Sequence, residues 1–278
     1  MQRMEPQKMT ETGRERQQSA MLVWAVAPLL ALGAVWPPAD AAVRGLSLRP
    51  WLAPLLVSAG FALLVWVLRA ATRPAAAIGL VICMVLAEPR QAGAGVNAAA
   101  LAALVALFVL TFAATRFGRA KKELRKLAER RSGRRASQIV ANLGVAALCA
   151  SMGWHGGCIA ALAEAAADTV SSEVGLAVGG RAWMITTGRR VSAGTDGGVS
   201  FAGTVAGVLA ASVVAGAGGI YGALGAPQAS MVFAAACAGL VFDSVLGATA
   251  ERRGWMGNDL VNFCSTLFAA VIVGLMLV

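Results

Sequence analysis

Apolar residues in this chain come in long unbroken runs rather than in the three-and-four spacing of a half-buried helix. Nine runs of 14 to 26 residues stand out: 20–36, 51–68, 74–87, 94–115, 137–154, 156–179, 199–224, 229–248 and 260–278. A helical run near twenty residues crosses about 30 Å of hydrocarbon, so each is a candidate membrane span. The third run is short and needs the added length of Ala70 to Arg73, with arginine snorkelling, if it is to cross. The sixth carries Glu164, Asp168 and Glu173, which makes it the weakest of the nine. The runs are continuous instead of alternating, which argues against a β-barrel. The expected fold is all-α: a polytopic membrane helix bundle of about nine transmembrane helices, multi-pass in the cell's inner membrane.

Composition agrees. Of 278 residues, 58% are apolar and 14% charged, and mean hydropathy is +0.69. Soluble domains run about 45–50% apolar and about 25% charged, so a water-soluble globule and a disordered chain are both excluded. The basic residues assign the sides. With the N-terminus cytoplasmic, only Arg44, Arg49 and Arg90 of the 24 fall in outer loops. The loop 116–135 alone holds Arg116, Arg119, Lys121, Lys122, Arg125, Lys126, Arg130, Arg131, Arg134 and Arg135. That asymmetry is what the positive-inside rule asks for, and anionic headgroups account for the +10 net charge without nucleic acid. Residues 1–19 read as a cytoplasmic polar tail, 20–115 as scaffold helices, 116–135 as a basic cytoplasmic loop, and 136–278 as the catalytic membrane helices. Ala39-Asp40-Ala41 has the form of a signal-cleavage site, but the run before it is long for a signal peptide, so the first span is expected to be retained. The five cysteines stand singly in apolar runs and read as buried free thiols, and a lone His155 builds no zinc site.

The polar residues of the second half crowd one membrane surface. Asn142 opens the fifth run, Asp168 and Glu173 close the sixth, Asp243 closes the eighth, and Asn258 and Asn262 flank the start of the ninth. Intramembrane carboxylates cost roughly 2.5–3.5 kcal/mol each on insertion scales. Three at one level call for a cation, and hard oxygen ligands suit Mg²⁺. Asp168, Glu173 and Asp243 are therefore candidate metal ligands and catalytic residues. Helix geometry sets a condition: Asp168 and Glu173 lie about 140° apart on an ideal helix, so both reach one ion only if the helix is broken. The turn Gly194-Thr195-Asp196-Gly197-Gly198 can expose backbone N–H groups to an anion, with Arg189 and Arg190 just before it. Arg134 and Arg135 stand next to the polar start of the fifth run. The glycines at 216–222 lack nucleotide-fingerprint spacing and read as close helix packing.

Four blocks in order carry a resemblance: Gly133-Arg134-Arg135-Ala136-Ser137-Gln138 through Asn142-Leu143-Gly144; Ala167-Asp168-Thr169-Val170-Ser171-Ser172-Glu173; Thr187-Gly188-Arg189-Arg190 through Gly194-Thr195-Asp196-Gly197-Gly198; and Asp243-Ser244 continued by Asn258-Asp259-Leu260-Val261-Asn262. Together they resemble the integral-membrane family that includes phytyl-phosphate kinase and transmembrane protein 19 (domain of unknown function 92). Leu143 and Asp196 depart from its pattern, where glycine and asparagine are common. The resemblance implies a membrane isoprenoid-phosphate kinase. It would transfer a phosphoryl group from a nucleoside triphosphate such as CTP to a lipid monophosphate. In that frame Asp168, Glu173 and Asp243 would hold Mg²⁺, and Arg134, Arg135, Arg189 and Arg190 would bind phosphates. Gly194, Thr195, Gly197 and Gly198 would wrap a phosphate, and Asn142, Asn258 and Asn262 would orient groups. A transporter of lipid phosphate or a small anion, and a cytidylyltransferase making a CDP-lipid, are the competing readings.

Overall fold

Each of the nine apolar runs becomes a helix, and the bounds show where packing overrides hydropathy. In a computed structural model, which describes residues 13–89, 97–128, 132–220 and 224–276, the order begins with α1 (Gly13–Val43), a 3₁₀ turn (Arg49–Trp51), α2 (Leu52–Val67), α3 (Arg73–Ala87) and α4 (Ala98–Arg116). A short α5 (Arg119–Leu124) leads to α6 (Ala136–Ser151) and α7 (His155–Val178). Strands β1 (Ala182–Met184), β2 (Arg190–Val191) and β3 (Gly198–Val199) precede α8 (Phe201–Ile220) and α9 (Ala226–Leu246). A π turn over Gly247–Glu251 and α10 (Asn258–Met276) complete the chain. Arg3, Lys8, Arg90, Arg130 and Arg131 lie outside the described residues.

Among the described residues six stretches are long and apolar enough to cross a membrane: α1, the 3₁₀ turn with α2, α4, α8, α9 with its π turn, and α10. The helices α3 and α6 are apolar but shorter, at 15 and 16 residues. Large apolar side chains face outward from these spans, among them Trp24, Leu56, Phe201 and Leu275. Such exposure is untenable in water and required in lipid.

The sixth run, the weakest span by sequence, is the centre of the molecule. α7 packs against α4, α5, α6, α8, α9 and α10. From Gly156 to Ala167 every residue is buried. Its acids therefore face protein, which is how a membrane protein tolerates them. Small residues allow the close approach. A Cβ on Gly203 of α8 would lie 2.5 Å from the Ser171 oxygen, and one on Gly207 would lie 2.7 Å from that of Ala167. Gly218 meets Ile159 in the same way, as the glycine-rich run 216–222 foretold.

Two features correct the sequence reading. The loop 180–198 is a three-stranded antiparallel ribbon in the order β2-β1-β3, pairing Trp183 with Arg190 and Val199, a small addition to a mostly helical chain. α1 continues through Pro37 and Pro38 to Val43, shortening the loop expected over 37–50. Arg44 closes it with a 2.9 Å ion pair to Asp40.

One end of the bundle gathers the first turns of α1 and the segments 69–73, 116–128, 132–135, 180–198 and 249–259. Gln18 donates to the Trp255 oxygen at 2.8 Å, and Ser19 donates to Asp259 at 2.6 Å. Arg134 is pinned by its backbone: its N–H donates to the Ala70 oxygen at 2.9 Å, and its oxygen accepts from Thr72 N–H at 3.0 Å. Gly133, at φ +83°, makes this possible, since a side chain there would strike the backbone of Arg69 to Ala71.

Candidate functional site

At that end a cavity of about 320 Å³ opens between α6, α7, α9, α10 and the ribbon. It collects eleven of the fourteen residues singled out from sequence: Arg134, Asn142, Asp168, Glu173, Gly194, Thr195, Gly197, Gly198, Asp243, Asn258 and Asn262. Arg135, Arg189 and Arg190 are not in its lining. Arg135 caps α6, its N–H donating to the Gln138 side chain at 2.8 Å, while Arg189 and Arg190 are exposed on the β1–β2 hairpin.

The floor is acidic. Asp168 of α7 and Asp243 of α9 both line it, close enough for each to feel the other's charge. Glu164 lies one turn deeper, 1% exposed, in space left by Gly239, where a Cβ would sit 2.5 Å from its Cγ. One oxygen each of Asp243 and Glu164 is buried with no hydrogen-bond partner among the described residues. Buried polar atoms without partners are uncommon and mark strain or a bound group. The opposing charge comes from Arg134, which acts electrostatically on Asp168 and donates to Thr169 Oγ1 at 3.4 Å.

Glu173 takes another direction. α7 is unbroken, so the 140° divergence holds, and its carboxylate pairs with Lys122 of α5. Lys122 is 1% exposed and also donates to the Ala114 and Thr115 oxygens at 3.1 and 2.9 Å. Lys122 departs from the expectation that the basic loop faces anionic headgroups, because α5 buries it. Among the described residues no three His, Cys, Asp or Glu side chains gather as a ready metal cage. What the floor offers is a carboxylate pair, which fits an ion that normally takes one or two carboxylates and completes its shell with phosphate and water.

The glycine turn is held from below. Gly197, at φ +72°, lies so close to Ala248 that any side chain would overlap its backbone. The N–H groups of Thr195 and Gly198 donate within the turn, to Ser192 and Thr195 oxygens at 3.2 and 2.8 Å. Burial pushes the Asp196 carboxyl above its ordinary range, opposed by Arg252 and reinforced by Glu15. Glu251 escaped the sequence reading. It lines the cavity two turns after Asp243, brought round by the π turn, whose Arg252 N–H reaches back to the Gly247 oxygen at 3.3 Å. Its neighbours Arg252 and Arg253 made the segment look basic.

The family model described as integral membrane protein DUF92 matches residues 56–270. The chain belongs to that family. It is an integral membrane protein, and the match spans α2 to α10 with the whole cavity wall. The chloroplast protein VTE6 of Arabidopsis thaliana is 29% identical over 189 residues, covering 62% of this chain and 57% of that protein. The chain thus aligns with little more than half of that relative's length. An uncharacterised membrane protein of Synechocystis is 35% identical over 187 residues (62% of this chain, 72% of that one), and one of Methanocaldococcus jannaschii is 33% identical over 178 (61% and 72%). No solved structure matches the DUF92 chain.

Proposed function

We propose that this protein is a membrane isoprenoid-phosphate kinase, passing the terminal phosphoryl group of a nucleoside triphosphate, CTP foremost, to a phytyl or prenyl monophosphate. The observation that carries the reading is the meeting of Asp168 and Asp243 beside Arg134 in a polar cavity at one end of an otherwise apolar bundle. The family resemblance supplies the reaction class. An oxygen of the lipid monophosphate attacks the γ-phosphorus, the bond from that phosphorus to the β–γ bridging oxygen breaks, and the nucleoside diphosphate leaves with the electron pair. Any proton on the acceptor phosphate passes to solvent. Such transfer needs positioning and charge neutralisation more than covalent chemistry. Asp168 and Asp243 would hold Mg²⁺, which when bound neutralises charge on the triphosphate. Arg134 would draw the acceptor phosphate against the acids, and Asn142, Asn258 and Asn262 would orient oxygens. Glu173 would brace the wall through Lys122. The cavity end would face the cytoplasm, with nine crossings and the N-terminus inside.

A transporter would place its site near the midplane between repeats, whereas this cavity opens at the bundle end. The test is purified protein in detergent with Mg²⁺, each of the four labelled nucleoside triphosphates, and geranylgeranyl or phytyl monophosphate. Lipid diphosphate and nucleoside diphosphate are expected. Pyrophosphate release with a CDP-lipid would mean nucleotidyl transfer instead, and no lipid product with any nucleotide would remove both enzyme readings. Asp168→Asn and Asp243→Asn should each lower kcat roughly tenfold or more, as loss of charge positioned for a transition state does. Folded yield should hold, because either change relieves like-charge crowding.

A further inference from the structure

The polar cavity shares two wall residues, Arg134 and Asn142, with a second, apolar cleft of about 210 Å³ between α2, α3, α4 and α6. We propose that this cleft holds the tail of a single-chain isoprenoid monophosphate and seats its phosphate among Arg69, Arg116 and Arg134. The assignment rests on the kinase reading and gives it a substrate path through the half of the chain that sequence marks as scaffold.

Four observations point to this occupant. The walls are Phe61, Gly79, Ile82, Leu107, Phe108 and Leu143, an apolar surface with a row of rings: Phe61–Phe108 and Phe108–Phe112 each have centroids 5.3 Å apart. The end nearest the polar cavity carries Arg69, Arg116, Arg119 and Arg134, and the cleft lining includes no carboxylate among the described residues. Of these, Arg119 is paired with Glu123, whereas Arg116 stacks on Phe112 with its charge 3.6 Å from the ring centroid and donates to the Leu68 oxygen at 3.3 Å. It is thus held at the junction of ring row and charged mouth. A guanidinium cluster with an apolar slot behind it is complementary to a phosphate on a hydrocarbon chain. The cleft is smaller than the roughly 300–1,000 Å³ of a drug-sized pocket, so it admits at most one slender chain along its length and not the pair of a diacyl lipid. Finally, Arg134 lies on both walls, so a phosphate it holds while the tail occupies the cleft faces Asp168 and Asp243 without further movement.

Gly79 gives a clean handle, since a Cβ there meets nothing within 4 Å. Its side of the cleft can be filled without an initial clash. The experiment photolabels the purified full chain in nanodiscs with geranylgeranyl monophosphate bearing a terminal diazirine, without nucleotide, and maps the labelled peptides. Labels are expected on the α2, α3 and α4 faces around Phe61, Ile82 and Phe108. Unlabelled monophosphate should compete roughly tenfold better than geranylgeraniol, a margin set by the charge-assisted phosphate contacts. Gly79→Phe should abolish the labels. Arg116→Gln should keep them but erase the preference for monophosphate over alcohol, and this arm decides if Gly79→Phe fails to fold by circular dichroism. Labels on the outer faces of α8 or α10, labels unchanged by Gly79→Phe, or equal competition by dioleoyl phosphatidic acid would each overturn the assignment. Photolabelling needs no turnover. A chain labelled in the cleft that makes no diphosphate keeps this site and loses the kinase reading; one that makes diphosphate but labels elsewhere does the reverse.

Discussion

Lys122 shows how far a residue's role depends on what folds over it. In the sequence it is one of ten basic residues in a single loop, indistinguishable from its neighbours. In the structure it is the buried cation that neutralises Glu173 at the cavity wall. Removing one partner of a buried pair leaves an uncompensated charge, so Lys122→Met should cost about 3–5 kcal/mol of stability. Adding Glu173→Gln should recover much of the loss, seen as a lowered and then partly restored Tm in detergent. A double variant no more stable than Lys122→Met would show that the two residues act independently. The divergence of Asp168 and Glu173, by contrast, was readable beforehand, because helix periodicity alone separates them. That Asp168 meets Asp243 was only partly readable: both lie at one membrane level by sequence, but sharing a level does not bring two helices into contact.

Among the elements, α7 and α8 decide the site's shape. Their contact is built from Gly203 and Gly207 against Ala167, Ser171 and Gly175, and it carries Ser200 and the ribbon into place over the acids. A leucine at 207 would force the helices apart. We expect Gly207→Leu to lose about 1–3 kcal/mol, as overpacking does, with turnover falling alongside. Gly216→Leu on the same helix, where a Cβ meets nothing within 4 Å, should stay within about 0.5 kcal/mol of wild type. Equal damage from both would mean that the helix merely dislikes leucine. Hydropathy could not foresee the ribbon or the π turn. The strands are two or three residues long, too short for an alternation signal, and the π turn packs against Gly197, far from it in sequence.

For the whole molecule, the direction in which the cavity end faces decides which compartment supplies the nucleotide. Ser132 is exposed at that end. If the basic loops lie in the cytoplasm, Ser132→Cys should resist a membrane-impermeant maleimide in intact cells and react once the cells are opened. Ready labelling in intact cells would invert the orientation and place the nucleotide on the wrong side. The same scale explains why six stretches among the described residues qualify as membrane-crossing while nine runs form helices. Length and hydropathy pick out the segments that face lipid. α3 and α6 are short, and α7 bears acids, because other helices cover them, so they answer to packing instead.

The chain alone determined that nine apolar segments avoid water, that basic residues concentrate in a few loops, and which polar blocks belong together. Those properties follow from the transfer free energy of side chains, which are local and additive along the sequence. Tertiary structure decided the rest. It put the most acidic helix at the centre, gave Glu173 to Lys122 and Asp168 to Asp243, left Arg189 and Arg190 outside, and brought Glu251 in. Hydrophobicity states whether a segment avoids water but not whether protein or lipid surrounds it, and which carboxylates meet depends on how closely small residues let separate helices approach.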